Sequence, residues 1–295
     1  MRASRSARGR FGAVWRVGAI ALVVIAAHAG VAGAQSRPAV TQDSETVGSG
    51  KLLVDLGVDY QQDAFYPASG LHGNLTRWGT FDLSLGVSSI ADVQLSGGIV
   101  NSLFITQRDP NAPLAPLVDV NGSRTSDVQD GVVGTKVRFV SETDGRPSFG
   151  ILFSTRLPNS KHPSGLGLDT MDFNFGLLGG KTMGPIRVVG NFGWAILEDP
   201  VHDGIQNDVI TYGGTLTGAI ADGVALVADI NGRVNTRGHT PPVGTESRSM
   251  VRLGPRLSHG RARYDAALLI GLTPHDPSWG VTGGITWIFT AFKIP

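Results

Sequence analysis

The sequence predicts an all-β protein, a transmembrane, antiparallel, up-and-down β-barrel of about twelve strands. Three observations carry the prediction. Segments of roughly ten residues alternate apolar and polar side chains along most of the chain. The connections between them alternate long and short. An export signal comes first, and nothing after it is apolar for the roughly 20 residues that a membrane-spanning helix needs.

The first element, residues 1–34, reads as a secretory signal peptide. Arg2, Arg5, Arg8, Arg10 and Arg16 form a basic start, Val17 to Ala29 an apolar stretch, and Ala32-Gly33-Ala34 a small-x-small cleavage site. The rival reading, an uncleaved anchor, needs a longer apolar core. Residues 35–49 are expected to form a short periplasmic segment, and residues 50–295 the barrel.

Strands are justified by which residues share a face, because side chains alternate along a strand with a period of two. Leu52, Val54, Leu56, Val58 and Tyr60 oppose Lys51, Asp55, Gly57 and Asp59. Phe81, Leu83, Leu85 and Val87 oppose Thr80, Asp82, Ser84 and Gly86. Val93, Leu95, Ile99, Leu103 and Ile105 oppose Gln94, Ser96, Gly98 and Ser102. Further segments follow around Val133–Phe139, Phe149–Leu157 (where Leu152 breaks the pattern), Met171–Leu177, Ile186–Ile196, Ile210–Leu216, Val224–Arg233, Arg248–Leu257, Arg263–Leu272 and Trp279–Phe289.

Long connections are expected near 61–74, 107–125, 158–170, 198–207, 236–245 and 273–278. Short ones are expected near 88–92, 141–147, 181–184, 221–223 and 258–261. Short periplasmic turns and longer outer loops produce this alternation in a barrel with an even strand number. Asp-Gly pairs at Asp144-Gly145 and Asp222-Gly223 supply residues that tolerate positive φ in tight turns.

A soluble sandwich would alternate similarly. The barrel is favoured by aromatic residues near strand ends (Tyr60, Trp78, Trp194, Trp279, Trp287, Phe289), as at a membrane interface. The composition agrees: 41 glycines in 295 residues and only 17% charged residues suit a wall with one face in lipid. With no cysteine, disulfides and thiolate metal sites are excluded, and a net charge of +1 gives no reason to expect a nucleic-acid partner.

Three stretches carry a family resemblance. Ser126-Asp127-Val128-Gln129-Asp130-Gly131 leads into Val133–Phe139. Ser154-Thr155-Arg156-Leu157-Pro158 is followed by Gly165-Leu166-Gly167 and Asp172-Phe173-Asn174-Phe175. Gly271-Leu272-Thr273-Pro274-His275-Asp276-Pro277 precedes Trp279-Gly280-Val281 and Gly284 to Phe289. On these the chain, from about Gly50 to Phe292, resembles the outer-membrane meta-pathway phenol-degradation proteins, a family of transporter-like barrels. The resemblance implies location in the cell outer membrane and passage of small, hydrophobic or aromatic compounds.

If the register is right, the lumen is lined by Asp55, Asp59, Asp82, Lys136, Arg138, Asp172, Asn174, Arg187, Asn191, Asp229, Asn231, Arg233, Arg248, Arg252, Arg263 and Asp265. One reading is a wall of internally paired charges, since buried charges need partners. The sharper one is a selectivity ladder, with Arg248, Arg252 and Arg256 drawing anions to the wall.

One enzyme-like feature competes, His162-Pro163-Ser164, superficially like the histidine and serine of outer-membrane lipid hydrolases. Pro163 interrupts it, and a loop turn is the favoured account. A divalent cation among Asp109, Asp119, Asp127 and Asp130 is the less favoured reading of those loop acids. The expectations are therefore no enzyme, no catalytic, cofactor-binding or metal-binding residues and no cofactor. The expected partners are outer-membrane lipid, the barrel-assembly machinery and a small solute. The competing functions are a lipid-ester hydrolase using His162 and Ser164, or a structural barrel without transport.

Overall fold

The computed structural model describes residues 37–238 and 240–292; the signal peptide expected at 1–34 lies outside them. Twelve antiparallel strands follow one another: β1 (Lys51–Tyr66), β2 (Leu71–Gly86), β3 (Ala91–Arg108), β4 (Arg124–Val140), β5 (Ser148–Arg156), β6 (Asp172–Met183), β7 (Ile186–Glu198), β8 (Gln206–Ala221), β9 (Val224–Asn235), β10 (Arg248–His259), β11 (Ala262–Gly271) and β12 (Trp279–Thr290). Each pairs with its neighbour in sequence, and β1 pairs with β12 from Lys51↔Thr290 to Gln62↔Trp279, so the sheet is a closed barrel. Closure leaves no strand edge with unpaired backbone groups, a condition of crossing hydrocarbon as a sheet.

Side-chain faces explain why these residues form this wall. Leu56, Phe153, Phe192, Leu216, Leu226 and Trp287 point outward, each close to half exposed. An apolar surface this extensive around a closed barrel is a lipid-facing belt. Asp55 and Asp92 (both 0% exposed), Lys136 (1%) and Asp229 (2%) point inward. Among the described residues no helix is long and apolar enough to cross a membrane.

Connections 87–90, 141–147, 184–185, 222–223 and 260–261 are the short turns, with Gly184, Gly223 and Gly260 at positive φ in the three tightest. Connections 67–70, 109–123, 157–171, 199–205, 236–247 and 272–278 lie at the opposite end. The first of these is much shorter than the expected 61–74. β1 and β2 run on as a projecting hairpin whose register shifts at Gly57/Val58 and Gln61/Ala64, with Asp63 (φ 56°) and Gly79 (φ 64°) left-handed. Each bulge inserts a residue and exchanges the faces beyond it, which breaks the period-two signal.

The same effect corrects the reading of β3. Leu103 and Ile105, expected on the lipid face with Ile99, are buried inside, because β3 shifts register against β4 between Ser96 and Asn101. They form an apolar cluster at the outer mouth with Ala64, Leu71 and Leu75, packed against Tyr66, Val118, Val120 and Leu166.

A second correction concerns the segment expected in the periplasm. Residues 37–49 run along the inner wall of the barrel instead, hydrogen-bonded to inward side chains of several strands. Val47 packs on Leu53, an inward apolar residue of β1. The run Thr41 to Thr46 has no period of its own that would reveal this; it is matched to the wall one polar group at a time.

Candidate functional site

The candidate site is the lumen together with this N-terminal arm. Followed backwards from Val47, the arm meets the strands in the order in which the barrel closes. The Val47 N–H donates to the Asp92 carboxylate of β3 at 3.0 and 3.2 Å. Lys136 of β4 donates to the carbonyls of Glu45 (2.6 Å) and Asp43 (3.0 Å) and lies 3.6 Å from Asp92. Arg138, also of β4, pairs with the Glu45 carboxylate. Ser44 shares a 2.8 Å hydrogen bond with Ser148 of β5.

Asp43 accepts two bonds from Arg187 of β7, and Gln42 exchanges two with Asn191, 2.7 Å from its N–H and 2.6 Å to its carbonyl. The Val40 and Thr41 N–H groups reach Asp229 of β9. Arg256 of β10 donates to the Arg37 carbonyl at 3.0 Å. Arg37 then closes the circuit: its guanidinium lies 3.5 Å from Asp265 of β11 and 3.6 Å from Asp55 and Asp59 of β1, and it donates to Thr282 of β12 and Thr80 of β2.

The arm is therefore a ring laid against the wall. The physical reason lies in the charges. Carboxylates and cations without water must be paired and hydrogen-bonded. Asp55, Asp92, Lys136 and Arg187 obtain that pairing from the arm or from each other, so the wall and the arm stabilise one another.

The other lumen residues named from the sequence are distributed as follows. Asp82 lies on the inner wall beside Ser84 and Ser96. Asp172 is bound by Arg156, which also pairs with Asp130. Asn174 borders the inner chamber described below. Arg252 meets Asn231 and lies 3.5 Å from Asp229. Arg233 donates to the carbonyls of Glu246 (2.9 Å) and Gly244 (2.7 Å), and Arg248 to the carbonyl of Phe65 (3.2 Å). Arg263 has its Nη1 buried without a hydrogen-bond partner. The sequence reading missed Arg37, Asp43, Glu45, Asp92 and Arg77. The first three lie in the arm, and Arg77 sits beside the Gly79 bulge that hides its face.

Three cavities share walls along the bore. An outer chamber of about 340 Å³ lies under the loops, bordered by Phe65, Tyr66, Leu166 and Leu168. An inner chamber of about 480 Å³ shares Gln61, Arg77, Arg233, Arg248 and Pro277 with it. A third, of about 220 Å³, shares Val40, Leu152 and Ser154 with the inner one and is bordered by Gln42 and Lys136. Leu152, which broke the alternation of its strand, thus points inward.

His162 and Ser164 lie in a short 3₁₀ turn (His162–Ser164) of the 157–171 loop. The imidazole Nε2 is 2.8 Å from the Leu168 carbonyl, and the Ser164 hydroxyl donates to the Lys161 carbonyl at 2.8 Å. Both groups tie the loop to itself. Asp127 accepts bonds from Ser160 and the Lys161 N–H, and Asp130 from the Asn159 and Ser160 N–H groups, so these acids anchor the same loop.

No protein-family profile matches the chain, and no curated protein is similar to it in sequence. Solved structures share its shape. An outer membrane channel from Pseudomonas putida F1 superposes with a TM-score of 0.58 at 14% identity, covering 84% of this chain and 98% of that one. The translocator domain of the autotransporter NalP from Neisseria meningitidis gives 0.42 at 13% identity, over 82% and 87% of the two chains. LpxR from Salmonella typhimurium gives 0.42 at 9%, over 81% and 100%.

One expectation is corrected: barrels of one shape host both channels and enzymes, so the reading of this chain as no enzyme is withdrawn. At these identities the likeness shows the fold. With its closed twelve-stranded wall, lipid-facing belt and polar lumen, the chain is an outer-membrane β-barrel.

Proposed function

We propose that the barrel is a narrow passive channel for small solutes, apolar and aromatic ones among them, and that the N-terminal arm sets its bore. The observation that carries this is the run of three wall-sharing chambers through the lumen, with the arm along the wall of the inner two. The aromatic and aliphatic border of the outer chamber suits an apolar solute. The Pseudomonas putida channel of similar shape supports the same reading, as does the motif resemblance to the phenol-degradation barrels. Lipid of the outer membrane covers the apolar belt, and the barrel-assembly machinery inserts the chain.

Planar-bilayer recording of the refolded mature protein tests this, beside a variant lacking residues 35–49. The expected result is small unitary conductance, increased when the arm is removed. A variant that folds, shown by heat-modifiable mobility, and still neither conducts nor passes solutes into liposomes would make this a structural barrel without transport.

A further inference from the structure

We propose that Arg77, Arg233 and Arg248 form a binding site for a small organic anion, a carboxylate carried on a compact apolar body. The site lies where the outer chamber meets the inner one. The proposal rests on the channel reading for its purpose; its geometry stands separately.

Arg233 of β9 and Arg248 of β10 are direct partners across the ladder, and both border the two chambers. Like charges placed opposite one another on one face repel. Five other lumen arginines, Arg37, Arg138, Arg156, Arg187 and Arg252, make ion pairs with carboxylates. Among the described residues, Arg77, Arg233 and Arg248 make none. Arg233 and Arg248 give their hydrogen bonds to main-chain carbonyls, which supply no neutralising charge. Arg77 borders both chambers from β2, and its Nε is buried without a hydrogen-bond partner.

The acids around the two chambers are engaged elsewhere. Asp130 and Asp172 are held by Arg156, and Glu198 by the Met171 N–H. Asp276 is held by Ser249 and Thr273, and Asp59, across the ladder from Arg77, by Arg37 and Thr282. Three guanidinium groups thus border these chambers without an ion pair of their own among the described residues; Glu246, whose charge acts on Arg233, accepts the Gly244 N–H at its Oε1. A guanidinium binds a carboxylate through parallel N–H···O bonds, better than it binds a spherical ion. The neighbouring Phe65, Tyr66, Leu166 and Leu168 then receive an apolar body and discriminate against a bare anion.

Calorimetric titration of the full-length mature protein in detergent tests this, with benzoate, acetate and benzyl alcohol as probes. Benzoate is expected to bind, with acetate and benzyl alcohol each at least about tenfold weaker, since each lacks one half of the recognition. Arg77→Gln and Arg248→Gln should each weaken benzoate by about tenfold or more, Arg248→Lys by less, and Arg146→Gln in a short turn not at all. Should Arg248→Gln fail to fold, Arg77→Gln carries the test, because the Arg77 Nε makes no hydrogen bond that the fold needs. Benzoate binding no tighter than benzyl alcohol, or binding unchanged by Arg77→Gln, overturns the site. A protein that conducts without binding benzoate sinks this proposal and leaves the channel standing; one that binds benzoate without conducting does the reverse.

Discussion

Asp43 accepts hydrogen bonds from Arg187 Nε at 2.6 Å and Nη2 at 2.7 Å, a bidentate pair that ties the N-terminal arm to the seventh strand. Arg187 also donates to Glu142 at 2.8 Å and Thr182 at 2.7 Å, so one guanidinium joins the arm, a strand and a short turn.

Truncating that guanidinium should therefore do more harm than truncating the acid. Arg187→Ala leaves two carboxylates without their cation and is expected to cost about 3–5 kcal/mol, as for other broken buried pairs. Asp43→Ala keeps the Arg187–Glu142 pair and should cost less. The temperature at which the folded band disappears on unboiled gels gives the order. Equal losses would show that the pair is not shared in this way.

Arg37 faces Asp55, Asp59 and Asp265. In Arg37→Ala these three acids confront one another, and the end of the arm should detach. Combining Arg37→Ala with Asp265→Asn removes one of the repelling charges and should recover part of the stability. A double-mutant cycle measures that coupling, expected at about 1 kcal/mol or more; strict additivity would deny that Arg37 neutralises the cluster.

Glu142 lies in the 141–147 turn, outside the spanning strands. Burial pushes its carboxyl pKa up, but the Thr182 N–H and the Arg187 and Lys181 cations outweigh it and hold the group below its ordinary value of 4.5. A depressed folded-state value stabilises the fold above the unfolded pKa, and the contribution is lost as pH falls through the folded one. Glu142→Gln should thus be less stable than wild type at neutral pH, the gap closing below about pH 4. Denaturant melts at several pH values read this, and a pH-independent gap would contradict it.

Strand packing leaves Gly254, among other strand glycines, no room for a side chain. A Cβ on Gly254 would lie 1.8 Å from the Ala266 carbonyl oxygen and 2.6 Å from the Ala267 Cα, whereas one on Gly218 meets nothing within 4 Å. Gly254→Ala is expected to destabilise the barrel by about 1–3 kcal/mol or more, through forced separation of β10 and β11. Gly218→Ala should be close to neutral. Folding yields into vesicles compare the two directly.

The twelve strands were legible in the amino-acid order because their cause is local. A wall between hydrocarbon and a polar interior forces every second side chain to one medium, and Leu52 to Tyr60 or Tyr264 to Leu272 display that rule without help from the rest of the chain. Inward polar positions such as Asp55, Asp229 and Arg252 follow from the same alternation. The rule fails where a residue is inserted: the bulges at Gly57/Val58, where Gly79 is the extra residue, and at Gln61/Ala64 hid the length of the first hairpin, and the shift before Asn101 turned Leu103 and Ile105 inward.

Read alone, the sequence determined the class of protein, the number of strands and which residue types face each medium, since these follow from nearest-neighbour spacing. Only the closed barrel decided that residues 37–49 lie inside, that Arg37 meets acids on both the first and eleventh strands, and that Arg233 and Arg248 stand opposite each other without an ion pair. Those relationships join residues far apart in the chain, and charge pairing across the lumen acts through space, where no period in the sequence records it.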